Sequence, residues 1–109
     1  MIDIEYLNHA EAALRAVEQA CDRINDASDA DIDNQRSGGM ITLTFSNKSQ
    51  IIVNLQKPLQ EIWVAAKAGG FHYRHVNGLW LDTKNSSELF AVLSREATAQ
   101  AGQPVLFSL

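Results

Sequence analysis

Residues 40–66 decide the fold, and they read MITLTFSNKSQIIVNLQKPLQEIWVAA. Three short runs have the composition of strands, at 40–45, 50–56 and 61–66, and apolar and polar residues alternate most clearly in the first. Alternation with a period of two is typical of β-strands that bury one face. The short turn between the first two runs predicts a hairpin, and Pro58, which has no amide to donate, separates the second run from the third. This stretch therefore predicts an antiparallel sheet.

The sequence after this stretch continues the sheet and then changes period. Residues 71–76 and 79–82 flank Asn77-Gly78, a pair that favours a two-residue hairpin. Gly38-Gly39 and Gly69-Gly70 are predicted to be turns. Leu89, Leu93 and Ala97 then follow helical spacing, with Asn85 and Glu88 as a predicted capping box and an end near Gly102.

The sequence before this stretch predicts a long amphipathic helix over residues 3–25. Its apolar residues recur at steps of three and four, namely Leu7, Ala10, Leu14, Val17, Cys21 and Ile24. Asp3 is the predicted N-cap. The order helix, strands, helix predicts one α+β domain over residues 1–109. We expect a two-layer sandwich in which both helices pack on one face of an antiparallel sheet of about five to six strands.

Charge and cysteine content exclude several classes of protein. Residues 1–33 hold nine acids against two bases, a net charge of −7, whereas the remainder carries four acids and seven bases. Such an acidic end repels nucleic acid and anionic membranes, and it attracts cations or a basic partner. Cys21 is the only cysteine and is predicted to be buried, so no intrachain disulfide forms. The first residues have no signal-peptide or transit-peptide pattern, which predicts a cytoplasmic location.

Carboxylates cluster at the end of the first helix and just after it. We call six of them the acidic ridge: Glu18, Asp22, Asp26, Asp29, Asp31 and Asp33. Helical spacing places the first three on one side, and on a strand the last three would point to one face. Carboxylate oxygens suit hard cations such as iron, and an open row of them predicts weak, exchangeable sites. The simpler interpretation is a solvated helix face that serves solubility.

The sequence from Gly38 onward resembles the frataxin family. The resemblance is carried by GGMITLTF, by IIVNLQKPLQEIWVAAKAGGFHY and by a tryptophan after an Asn-Gly turn. Asn54-x-Gln56-x-Pro58, followed by Ile62-Trp63, is similar to the central motif of that family. With the acidic first helix, the resemblance covers nearly the whole chain, and the missing transit peptide makes it similar to a bacterial member.

The resemblance implies a non-enzymatic accessory protein of iron–sulfur cluster assembly. It implies that Fe²⁺ or Fe³⁺ binds weakly at the acidic ridge and that the partners are a cysteine desulfurase and scaffold proteins. It also implies a monomer, with oligomers that iron could induce. Gln19, Arg23 and Arg36 stand where relatives often carry acids, so we expect fewer or weaker iron sites. Glu61 replaces a glutamine of the family motif.

A second surface is predicted on the outer side of the sheet. Asn54, Gln56 and Trp63, which we call the sheet platform, are expected to face away from the helices and to bind the partner. The simpler interpretation is that neighbouring side chains cover Trp63. Trp80 is expected in the core, by the same resemblance. The histidines, His9, His72 and His75, are expected to be surface or strand residues, with His72 close enough to the platform to be a contact.

Three functions remain open from the sequence. The first is the iron-binding accessory protein that contacts the cysteine desulfurase complex. The second is iron oxidation and storage in iron-loaded oligomers. The third is an acidic domain that docks on a basic protein without any metal.

Overall fold

A computed structural model describes the whole chain, residues 1–109. Two α-helices, six β-strands and one short 3₁₀ helix follow each other along the chain. In order they are α1 (Asp3–Ala27), β1 (Asp33–Ser37), β2 (Met40–Thr44), β3 (Gln50–Gln56), the 3₁₀ helix (Lys57–Leu59), β4 (Glu61–Ala66), β5 (Gly69–Val76), β6 (Leu79–Asp82) and α2 (Leu89–Ala101). The strands form one antiparallel sheet in the order β1-β2-β3-β4-β5-β6. The predicted α+β sandwich, with both helices on one face, is confirmed.

The strand register divides the sheet into a helix-facing side and an open face. Ile41, Val53 and Val64 lie opposite one another on neighbouring strands, and all three are buried against the helices. Their sequence neighbours Thr42, Asn54 and Trp63 are only half-buried and point the other way. The alternation that predicted the strands therefore also predicted which side is covered, because side chains on a strand point to opposite faces in turn.

The apolar face of α1 forms much of the core. Ala10, Leu14 and Val17 are fully buried, and the hydrophobic core continues through the inner faces of the strands and α2. Cys21 lies on the same face with 0% of its surface exposed, and burial raises the pKa of its thiol to about 12. The thiol is thus a buried apolar group, as predicted. No helix has the length and apolar composition needed to cross a bilayer.

The strand boundaries confirm two of the predicted turns and correct a third. Asn77 and Gly78 both have positive φ angles, 51° and 83°, and they connect β5 to β6 as a two-residue turn. Gly38-Gly39 is a turn between β1 and β2. The prediction of a turn at Gly69-Gly70 is wrong, since both glycines pair with β4 and open β5. The chain reverses two residues earlier, at positions 67 and 68.

Both helix starts differ from the predicted caps. Asp3 is the first residue of α1 and not its N-cap, which is Ile2, and its carboxylate instead accepts a hydrogen bond of 3.0 Å from Gln60. Glu88 is itself the N-cap of α2 and accepts from the amides of Phe90 and Ala91, so no capping box with Asn85 forms. The predicted end of α2 is confirmed, because Gly102 adopts the left-handed conformation just after Ala101.

Strand β1 was not predicted from the residue pattern. Its sequence, DNQRS, contains no apolar residue, so no alternation marks it. Arg36 pairs with Ile41 and therefore points toward the helices. This inward arginine forms ion pairs that link β1 to α1.

Candidate functional site

The acidic ridge spans α1, the following loop and the start of β1. Glu18, Asp22 and Asp26 lie on α1, Asp29 and Asp31 in the loop, and Asp33 at the first position of β1. The five aspartates are exposed and Glu18 is half-buried. The six predicted residues therefore occur along one continuous segment.

The loop between α1 and β1 is not a strand, the conformation in which its aspartates and Asp33 would all point to one face. Asp31 has a φ of 53°, in the left-handed region, so Asp29 and Asp31 do not lie on a strand. The intervening Ala30 and Ile32 are buried nonetheless. Asn25 holds the loop, since its side chain donates to the carbonyl of Ile32 and accepts from the amide of Ile32, both at 2.8 Å. Asp29 and Asp31 are thus exposed beside the buried Ala30 and Ile32, and this arrangement does not come from the alternating side-chain directions of a β-strand.

Arg36 neutralises part of the acidic helix. Its guanidinium donates to Glu18 at 2.9 Å and also to Glu11, so that one arginine bridges two turns of α1. The hydrogen bond to Glu11 is the main cause that raises the pKa of Arg36 above its usual range. The carboxylate of Glu18 is consequently paired with the guanidinium of Arg36, whereas none of the five aspartates takes part in an ion pair.

The ridge carboxylates are distributed rather than gathered. Nowhere does the chain bring three or more histidine, cysteine, aspartate or glutamate side chains together in a group that could hold a metal ion. Asp29 also accepts a hydrogen bond of 2.9 Å from Gln103. A cation at this surface would meet one or two carboxylates, and water would complete its coordination, which is the arrangement of a weak and exchangeable site.

The sheet platform lies on the open face, as predicted. Asn54 is directly opposite Trp63 on the neighbouring strand, and Gln56 is opposite Glu61. All three platform residues are half-buried. Trp63 is partly covered by His72 of β5, because the two rings stack with their centroids 4.0 Å apart and their planes inclined by 6°. His72 is thus a neighbour of the platform, and the indole presents the part of its surface that the imidazole leaves open.

Glu61 organises the platform edge, and this role was missed at the sequence level. Its carboxylate accepts from the indole Nε1 of Trp63 at 2.8 Å and from Nε of Arg74 at 2.9 Å. Its backbone carbonyl accepts from the hydroxyl of Tyr6 in α1 at 2.7 Å. Arg74 is opposite Glu61 on β5, so the contact depends on the strand register. The only indication of this role in the sequence was the spacing of Glu61 and Trp63, since residues two apart on a strand point to the same face.

His75 and His9 form a second aromatic group, on the helix-facing side. The two imidazoles stack at 4.1 Å, and His75 also meets the edge of Trp80 at 5.0 Å. Burial lowers the pKa of His75, and His9 lowers it further. Met1 and Arg74 line a surface hollow together with His75.

The lowered pKa of His75 predicts a loss of stability in mild acid. The unfolded chain accepts a proton at the ordinary pKa of about 6.5, whereas the folded chain accepts it only at lower pH, so unfolding gains protons as the pH falls. We expect the melting temperature to fall between pH 7.5 and pH 5.5, and to fall less steeply for His75→Gln. Thermal melts of both proteins across this range test the expectation, and parallel curves would contradict it.

Comparison with known proteins gives one consistent family. The family model described as a frataxin-like domain matches residues 1–103. A protein of Polaromonas sp. named iron–sulfur cluster assembly protein CyaY is 71% identical over 108 residues, which cover 99% of this chain and 93% of that protein. A protein of Variovorax paradoxus with the same name is 67% identical and covers 99% and 98% of the two chains.

Solved structures agree with these sequence matches. The frataxin of Psychromonas ingrahamii superimposes with a TM-score of 0.87 at 31% identity, over 100% of both chains. The trimeric frataxin of Saccharomyces cerevisiae, complexed with ferrous ion, gives a TM-score of 0.76 over 87% of both chains. Its identity is 24%, so this second likeness bears on the fold alone.

Proposed function

This chain belongs to the frataxin-like family, and from that membership we propose that it is a non-enzymatic accessory protein of iron–sulfur cluster assembly. In this proposal it binds iron weakly at the acidic ridge and contacts a cysteine desulfurase complex through the sheet platform. The support is the name shared by relatives that are 71% and 67% identical and that match nearly the full length of the chain.

The observation that carries the iron-binding part is the state of the ridge aspartates. All five are exposed, and no lysine or arginine pairs with them. Hard carboxylate oxygens in this state favour Fe²⁺ or Fe³⁺ over soft cations. Because no three ligands converge, we expect dissociation constants of roughly micromolar to sub-millimolar, as in open oxygen-ligand sites.

The alternative, iron oxidation and storage, finds less support in the placement of side chains. A protein that oxidises iron gathers several ligands around neighbouring metal positions. The ridge carboxylates are instead spread along α1, the loop and β1. We therefore retain the accessory function as the proposal.

An NMR titration with Fe²⁺ under anaerobic conditions tests the iron site. We expect amide resonances near Asp22, Asp26, Asp29, Asp31 and Asp33 to shift or broaden first, because these carboxylates have no internal cation. Weaker effects are expected near Glu18. Arg36→Gln should extend the perturbation to Glu11 and Glu18, since it removes the guanidinium that occupies both carboxylates.

A matched control removes an arginine elsewhere. Arg95 pairs with Glu96 on α2 and with none of the ridge carboxylates, so Arg95→Gln should leave the Fe²⁺ perturbations as they are in the wild type. Perturbations confined to His72 and His75 would rule out the ridge as the iron site. Unchanged spectra for Arg36→Gln would show that Arg36 does not limit metal binding.

A further inference from the structure

Glu61 is a buried carboxylate on the open face of the sheet. Its register with Gln56 and Arg74 places its side chain on the same side as Trp63, yet only 5% of its surface is exposed. A carboxylate in such a position is costly unless its oxygens are hydrogen-bonded. Here both oxygens are used, one by Trp63 and the other by Arg74.

Two contacts together fix the indole of Trp63. The hydrogen bond of 2.8 Å from Nε1 to Glu61 sets the direction of the ring edge. The stack with His72, at 4.0 Å and 6°, sets the ring plane. A tryptophan side chain has two rotatable bonds, and these two contacts restrain both. The ring is therefore held in one orientation before any partner arrives.

Fixing a side chain before binding increases affinity. Immobilising a side chain on association costs conformational entropy, and a side chain that is already fixed does not incur this cost. We infer that Glu61 is a positioning residue of the partner surface, which holds the indole of Trp63 in the orientation in which a partner contacts it. This inference rests on the proposed function, in which a partner docks on the sheet platform.

The same contact defines what the partner meets. Since Glu61 accepts the indole N–H, a docking partner finds an aromatic surface and no free donor on Trp63. Arg74 stands beside it with 62% of its side chain exposed, and only its Nε is engaged by Glu61. The surface thus fits an apolar side chain of the partner, packed on the indole next to a cation.

The test compares Glu61→Leu with Glu61→Gln, two side chains of similar size of which only glutamine can accept from the indole. In the free protein, we expect the indole N–H of Glu61→Leu to exchange faster with solvent, and that of Glu61→Gln to behave as in the wild type. Arg74→Gln is the control for the loss of the ion pair, and its indole N–H should stay protected. Faster exchange in Arg74→Gln would show that the ion pair, and not Glu61 itself, holds the ring.

Binding to the purified cysteine desulfurase complex gives the second readout. Glu61→Leu should bind about two- to tenfold more weakly than the wild type, and Glu61→Gln nearly as well as it. In a Trp63→Ala background, Glu61→Leu should cause no further loss, because Glu61 acts through the indole. An equal loss in both backgrounds would show a structural role, and no loss in either would overturn the inference.

Failure of the proposed function has a different signature. If the wild type itself does not bind the desulfurase complex, the proposed partner is wrong. The exchange of the indole N–H in the free protein then still decides whether Glu61 holds Trp63. Where Glu61→Leu melts too low to be studied, Glu61→Ala replaces it, since alanine likewise lacks an acceptor.

Discussion

Replacing Trp80 with alanine should lower the free energy of unfolding by roughly 3–5 kcal/mol, the range for removing a large aromatic side chain from a core. Trp80 is 2% exposed. Its ring meets the ring of Tyr6 edge-on at 6.1 Å and that of His75 at 5.0 Å. The substitution therefore removes contacts that join β6 both to α1 and to β5. For a domain of about 100 residues, the expected loss corresponds to a drop of at least about 12 °C in the melting temperature.

Thermal and urea unfolding of Trp80→Ala measure this loss. Trp80→Phe is the matched control, because it keeps an aromatic ring in the same position and should lose much less stability. A melting temperature of Trp80→Ala within a few degrees of the wild type would show that the surrounding core closes over the site. In that case Trp80 would not be a principal contact between the helix and the sheet.

Trp63→Ala should have the opposite profile, with a large effect on binding and a small effect on folding. If the indole is the anchor of the partner surface, its removal should weaken binding to the desulfurase complex by about 2 kcal/mol or more, roughly 30-fold. Most of this change is expected in the dissociation rate. The loss of stability should be about 1–2 kcal/mol, because the indole is half-buried and its N–H bonds to the carboxylate of Glu61.

Binding kinetics and melts of the same samples separate the two effects. Trp63→Phe keeps a ring that can stack on His72 but has no N–H for Glu61, so it should bind with intermediate affinity. Wild-type affinity of Trp63→Ala would remove the platform from the partner interface. A collapse of its stability, comparable to that of Trp80→Ala, would show that Trp63 serves the fold.

The sequence predicted those elements that a hydrophobic pattern controls. The bounds of β3 and β4 were both predicted correctly, since both are short runs rich in isoleucine, valine or tryptophan that lie between polar turn residues. The Asn77-Gly78 hairpin was predicted because the turn requires positive φ at two residues, which this pair tolerates. Burial of Cys21 followed from its place on the apolar face of α1.

The sequence did not predict features that arise from contacts distant along the chain. Strand β1 has polar residues on both faces, and its inward side chain, Arg36, is accommodated only because Glu11 and Glu18 of α1 lie opposite. The role of Glu61 depends on β4 and β5 aligning so that Arg74 stands beside it. Both cases involve charged groups whose positions are set by register, which residue periodicity does not encode. The iron and partner roles of the ridge and the platform remain predictions.

The polar character of β1 also disfavours edge-to-edge pairing of strands between two molecules of the protein. Six strands in a single row leave two edges, at β1 and β6, whose unpaired backbone groups could recruit a strand from another molecule. The side chains of β1 are all charged, amide or hydroxyl groups, which disfavour pairing with a strand of another molecule. Strand β6 is only four residues long, and its Leu81 already forms a bridge to Glu88. Fibril-like stacking through either edge is thereby discouraged, so the sheet can keep its open face available without inviting aggregation.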